Sequence, residues 1–208
     1  RSSQGRRGTW DRSAVPPDPL AAKSVNPNHL TPAPLFTFAG TGNPTGCGGC
    51  SPPDTVGDVG PQHYIQLVNS TKVAVYSKVG TLLGGPFDLS DLFSSGACAA
   101  DAGDPVVSYD PLADRWVLAQ FNGANSLCFA VSTTANPLGT YAVYAFLTTD
   151  FPDYFKIGVW PDGYYVSTNE ANYNAWAFDR VKMLQGIAAG SIKATGFADN
   201  FLMPADVD

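Results

Sequence analysis

Apolar and polar residues alternate in short runs along most of this chain, and each run ends in residues that set turn geometry. In "GDPVVSYDPLADRWVLAQF", 103 to 121, two runs of β-formers flank "DPLAD", the pattern of an antiparallel strand pair. The plan recurs in "PDTVGDVGPQHYIQLV" (53 to 68) and "PDYFKIGVWPDGYYVST" (152 to 168). Each copy opens at an aspartate (Asp54, Asp104, Asp153), turns at a proline (Pro61, Pro111, Pro161) and resumes at an aromatic residue (Tyr64, Trp116, Tyr164). The aspartates are 50 and 49 residues apart, and Asp206 in "PADVD" follows 53 residues later.

Each period has room for four strands. In the middle copy they are predicted at Pro105 to Tyr109, Arg115 to Phe121, Leu127 to Ser132 and Thr140 to Phe146. The first copy offers "YIQLV", "KVAVYSK" and "GTLL", the third "YYVST" and "NAWAF", and "FDRVKMLQGI" (178 to 187) is the one predicted helix. Four strands per period of about fifty residues is the signature of a β-propeller blade, a unit that buries its faces only by stacking on others. The expectation is an all-β propeller with blades at about 53–102, 103–151 and 152–203 and a fourth beginning at 204. Propellers usually close with four to eight blades, so only part of the ring is expected here, with the rest coming from the same parent chain or another subunit. Residues 1 to 45 are Pro-rich and mostly aperiodic until "PLFTFAG", and are expected to form an extended arm that ends against a blade.

Composition sharpens the class. Of 18 acidic residues, Glu170 is the one glutamate, and 21 Gly and 17 Pro accompany the aspartates, a bias toward turns and away from helices. Four arginines (Arg1, Arg6, Arg7, Arg12) stand in the first twelve residues, whereas from residue 13 onward 8 basic residues face 17 acidic ones. A body this acidic repels nucleic acid and anionic membranes. No apolar run is long enough for a transmembrane helix. Four cysteines allow three pairings. Local pairing of Cys47 with Cys50 through "CGGC", and of Cys98 with Cys128 across the second repeat, is expected, which suits an oxidising compartment.

The strings "DTVGDVGPQHYIQLVN", "GDPVVSYDPLADRWVLAQF", "CFAVSTTANPLGTYAVYAF" and "FDRVKML" resemble a family of secreted bacterial β-propeller proteins, mostly uncharacterised. The resemblance covers about residues 53 to 208. It implies an exported protein and a longer parent chain, and it brings no catalytic residues with it.

Candidate chemistry centres on the repeated acids. At the starts of innermost strands, Asp54, Asp104 and Asp153 would gather at one mouth of a central channel, where carboxylates could hold Ca²⁺; alternatively each accepts backbone amides and fixes the entry of its strand. A second reading is hydrolytic: Glu170 in "STNEANYNAW" would protonate a glycosidic leaving group while Asp54, Asp58 or Asp104 served as base or nucleophile. Trp160, Tyr173 and Trp176 could stack on sugar rings, or pack between sheets. The function expected is therefore a secreted or cell-surface binding module for a carbohydrate or protein ligand, with a glycoside hydrolase as the alternative.

Overall fold

A computed structural model describes residues 34–42, 49–69, 71–171, 174–197 and 202–207. The chain divides into two compact units, residues 1–36 and 37–208. Every strand among the described residues belongs to the second.

Among the described residues twelve strands form three antiparallel sheets of four, each in simple chain order. The first holds β1 (Val56–Val59), β2 (His63–Val68), β3 (Lys72–Ser77) and β4 (Leu82–Asp88). The second holds β5 (Val106–Asp110), β6 (Arg115–Phe121), β7 (Ser126–Ser132) and β8 (Tyr141–Leu147). The third holds β9 (Lys156–Trp160), β10 (Gly163–Thr168), β11 (Asn174–Phe178) and β12 (Ser191–Ala194). A 3₁₀ turn, Leu89–Leu92, follows β4. The helix α1, Arg180–Gln185, precedes β12, with the Asp179 side chain accepting from the Lys182 amide and Gly186 closing it at φ 71°, a left-handed position that glycine takes without steric cost. The strands predicted in the middle repeat match β5 to β8 to within a residue. β12 was not predicted: "SIKA" is too short and mixed to carry a period.

The side-chain alternation of the strands explains the stacking. Ile65 and Leu67 of β2 pack in one core with Tyr109, Trp116 and Leu118 of the second sheet. Residues of the opposite parity on β6, Val117 and Ala119, pack in another with Tyr164, Val166, Trp176 and Phe178 of the third sheet. The middle sheet is thus covered on both faces, and β7 is buried along its whole length. Gly60 sits so close to the middle sheet that a Cβ there would lie 2.8 Å from Trp116 and 3.0 Å from Tyr109.

Three further features secure the sheets. Asp110 is wholly buried and accepts two bonds from Arg180, Nε to Oδ2 at 2.7 Å and Nη2 to Oδ1 at 2.9 Å. It also accepts from the Tyr164 hydroxyl and from the amides of Leu112 and Ala113, so one carboxylate both shapes the Pro111 turn and joins the second sheet to the third. Cys98 and Cys128 form a disulfide, both buried in the core between the first two sheets. Cys47 lies outside the described residues, and with it the expected pairing to Cys50. Finally, the other face of the first sheet carries residues 37–42: the Phe38 ring packs 5.3 Å from Tyr76 and 5.8 Å from Tyr64, centroid to centroid. Thr41 exchanges two bonds with the Gln66 amide. No helix among the described residues is long and apolar enough to cross a membrane.

Candidate functional site

The first place to look is where the repeats begin. Asp54 (φ 39°), Asp104 (φ 45°) and Tyr154 (φ 50°) occupy left-handed backbone, a conformation that Asp tolerates better than most residues with a side chain. Each lies seven residues before its turn proline. The third equivalent of Asp54 is therefore Tyr154 and not Asp153. The backbone agrees, because Asn69 donates its amide to the Pro53 carbonyl and Asn169 donates to that of Asp153. Asp153 stands one residue out of register with the other two aspartates because the third repeat carries an acid where the first carries Pro53.

The carboxylates still feel one another. Burial, followed by the charges of Asp54 and Asp153, pushes the Asp104 carboxyl above its usual range, against the pull of Lys156. Burial draws the Lys156 ammonium below its usual range despite the same three acids; it lies 3.7 Å from the Tyr154 ring centroid and donates to the Phe155 carbonyl. Asp54 accepts from the Asn69 side-chain amide at 2.7 Å. The recess over these residues has a volume of about 190 Å³, below the usual size of a ligand pocket. Among the described residues no three Asp, Glu, His or Cys side chains converge to hold a metal ion.

Asp58 has a different task. Its Oδ1 accepts from the Val59 amide and its Oδ2 from the Tyr109 amide at 2.6 Å, tying β1 to β5. Asp206 repeats the arrangement, accepting from Val207 and, across to β9, from Val159. Asp206 was expected to match Asp54, but in its bonding it matches Asp58, and the shared Asp-Val dipeptide was the signal.

Glu170 is 2% exposed. Its Oε1 accepts from Thr168 Oγ1 and Trp176 Nε1 at 2.9 and 3.0 Å, and its Oε2 from the Thr149 amide at 3.1 Å. It lines a cavity of about 380 Å³ with Thr149, Asp150, Asn174, Lys193 and Thr195. Asp54 and Asp104 line the separate recess above, so the carboxylates considered together as a hydrolytic set open onto different cavities.

The expected aromatic residues lead to another concavity. A largely apolar groove of about 500 Å³ is lined by Trp160, Tyr165, Trp176, Phe197 and the segment Leu202 to Ala205. Trp160 is 41% exposed and is held by a 2.8 Å bond from Nε1 to the Ala205 carbonyl. Tyr165 donates its hydroxyl to Asp162 at 3.1 Å, and both line the groove. Ser167 Oγ donates to the Leu202 carbonyl, and Val159 to Asp206, which seats this segment on β9 and β10. Trp176 belongs to the core between the second and third sheets, lines the groove and bonds to Glu170 on the cavity wall. Tyr173 lies outside the described residues. Comparison of the chain with protein-family models, curated proteins and solved structures finds no match.

Proposed function

We propose that the three sheets are blades of a β-propeller and that the protein works outside the cell as a carbohydrate-binding module, in keeping with the secreted bacterial family it resembles. The observation that carries this reading is the groove on the third sheet: an aromatic ring, Trp160, exposed yet fixed by its bond to Ala205, beside Tyr165 and the acceptor Asp162. Fixed rings lose little conformational entropy when a sugar stacks on them, and neighbouring carboxylates accept its hydroxyls. Support for blades comes from the chain order of strands within each sheet and the stacking of successive sheets on alternate faces. The buried disulfide suits an oxidising compartment. A hydrolytic reading has less support, since Glu170 is held by three donors and opens onto a cavity apart from Asp54 and Asp104.

The test is tryptophan fluorescence and calorimetric titration with soluble oligosaccharides. Saturable binding is expected, weakened about ten-fold or more in Trp160→Ala, with far-UV circular dichroism unchanged. Undiminished binding by the variant, or no binding across neutral and acidic oligosaccharides, would overturn the reading.

A further inference from the structure

The cavity behind Glu170 has its own chemistry, distinct from the groove. Asn174 at the start of β11 is 2% exposed and its Oδ1 has no hydrogen-bond partner. Burying an amide oxygen without a donor is unfavourable, so the atom calls for a donor that the protein itself does not supply. Glu170 beside it is immobilised by donors from three segments, Thr149, Thr168 and Trp176. Opposite charge is supplied by Lys193, whose ammonium is bonded to Thr149 Oγ1 and stands 5.3 Å from the Trp176 ring centroid. Hydroxyls of Thr149 and Thr195 and the carboxylate of Asp150 complete a wall of mixed donors and acceptors.

We propose that this cavity is a second binding site that takes one neutral sugar residue, with a sugar hydroxyl donating to Asn174 Oδ1 and a neighbouring oxygen accepting from Lys193. A volume of about 380 Å³ lies within the range of small-molecule sites. Two carboxylates against one ammonium disfavour an anionic ligand, and a vicinal diol offers the donor and acceptor side by side that Asn174 and Lys193 need. The proposal rests on the reading of the chain as a carbohydrate-binding module, but it concerns a different cavity, and Asn174, which lines the cavity and not the groove, separates the two.

The reporter is the indole N–H of Trp176, which donates to Glu170, a residue of the cavity wall. Its proton–nitrogen signal, identified by its loss in Trp176→Phe, would be followed while glucose, galactose, mannose, xylose and N-acetylglucosamine are added separately to the 208-residue chain. The expected result is a saturable shift with at least one sugar, with a Kd on the order of millimolar. Asn174→Leu should abolish the shift while leaving the melting temperature equal or higher, because it removes the unpartnered oxygen. Should Asn174→Leu not fold, Lys193→Met, at a partly exposed position on β12, should weaken the shift about ten-fold. No shift with any of the five sugars, an equal shift with glycerol, or equal binding by the variants would each overturn the proposal. A sugar that moves the Trp160 indole while any Trp176 shift persists in Asn174→Leu would overturn the cavity site and leave the groove standing; a Trp176 shift that Asn174→Leu removes and Trp160→Ala leaves unchanged would support the cavity site independently of the groove.

Discussion

Replacing Arg180 by Met tests how the second and third sheets are joined. The substitution keeps most of the aliphatic stem but removes the guanidinium, leaving the Asp110 carboxylate wholly buried with three remaining donors, the amides of Leu112 and Ala113 and the Tyr164 hydroxyl. Two bonds to a charged partner are lost, at 2.7 and 2.9 Å. At about 1.5–3 kcal/mol for each such bond the loss is about 3–6 kcal/mol, in line with the ~3–5 kcal/mol that follows when one member of a buried pair is removed. For a chain of this size that corresponds to a fall of roughly 10 °C in Tm. Urea unfolding followed by circular dichroism and tryptophan fluorescence gives the free energy. Asp110→Asn and the double variant complete a cycle in which the two losses should overlap strongly. If Arg180→Met costs less than about 1 kcal/mol, or if the two changes add to within ~0.5 kcal/mol, the pair does not hold the sheets together and the reasoning fails.

Four further outcomes are expected. Replacing Cys98 and Cys128 with alanine opens a loop of 30 residues and should cost about 3.6 kcal/mol by loop-closure entropy; an unchanged urea midpoint would contradict it. Burial, helped by Asp114, pushes the Tyr109 phenol up to about 12, and burial also raises Tyr141 and Tyr164. Because the folded state holds these protons more tightly, stability should be intact below pH ~10 and decline as pH rises toward 12, with phenolate absorbance at the unfolding transition; independent titration of all tyrosines near pH 10 would count against it. Since burial raises the Asp104 pKa, its contribution is fully present below its unfolded value of ~3.9 and is lost as pH rises through the folded one. Asp104→Asn should therefore be more stable than the parent at neutral pH, and Ca²⁺ should raise the parent's Tm and not the variant's if a cation joins these acids. Phe38→Ala removes two ring contacts with Tyr64 and Tyr76, a loss of about 1–3 kcal/mol for the pairs, and should admit proteases at residues 37–42; equal cleavage rates in parent and variant would show that Phe38 does not secure this segment.

The strands of the middle repeat were legible because Asp, Pro and Gly punctuate them and because their length suits a sheet. The pairing of strands within each repeat followed from the short turns between them. What period alone could not assign was β12, or the faces of β7, a strand buried on both sides and so without alternation. The aspartates were legible as a recurring feature but not as equivalent positions. Counting acids made Asp153 the partner of Asp104, whereas the chain keeps constant the interval from the left-handed residue to the turn proline, which puts Tyr154 there. The Asp110–Arg180 pair spans 70 residues, and no local pattern announces it. Glu170 drew attention as the one glutamate; its donors arrive from the turn after β8, from β10 and from β11, and only folding brings them together. Trp160 and Trp176 were legible by residue type, since indoles commonly face either a ligand or a neighbouring sheet, and here Trp176 packs between sheets, lines the groove and bonds to Glu170.

The burial of the middle sheet on both faces also sets how the molecule comes apart in time. Amide protons of β6 and β7 exchange with solvent only when a neighbouring sheet lifts away, whereas those of β4 and β12, on strands largely exposed to water, exchange through small local openings. The two cores are separate, one rich in the contacts of Ile65, Leu67 and Trp116, the other in those of Tyr164, Val166 and Phe178, so each outer sheet is expected to open while the other keeps its core. Deuterium uptake should therefore resolve three tiers of protection, and a ligand seated on the third sheet should slow exchange there first, leaving the first sheet breathing at its own rate.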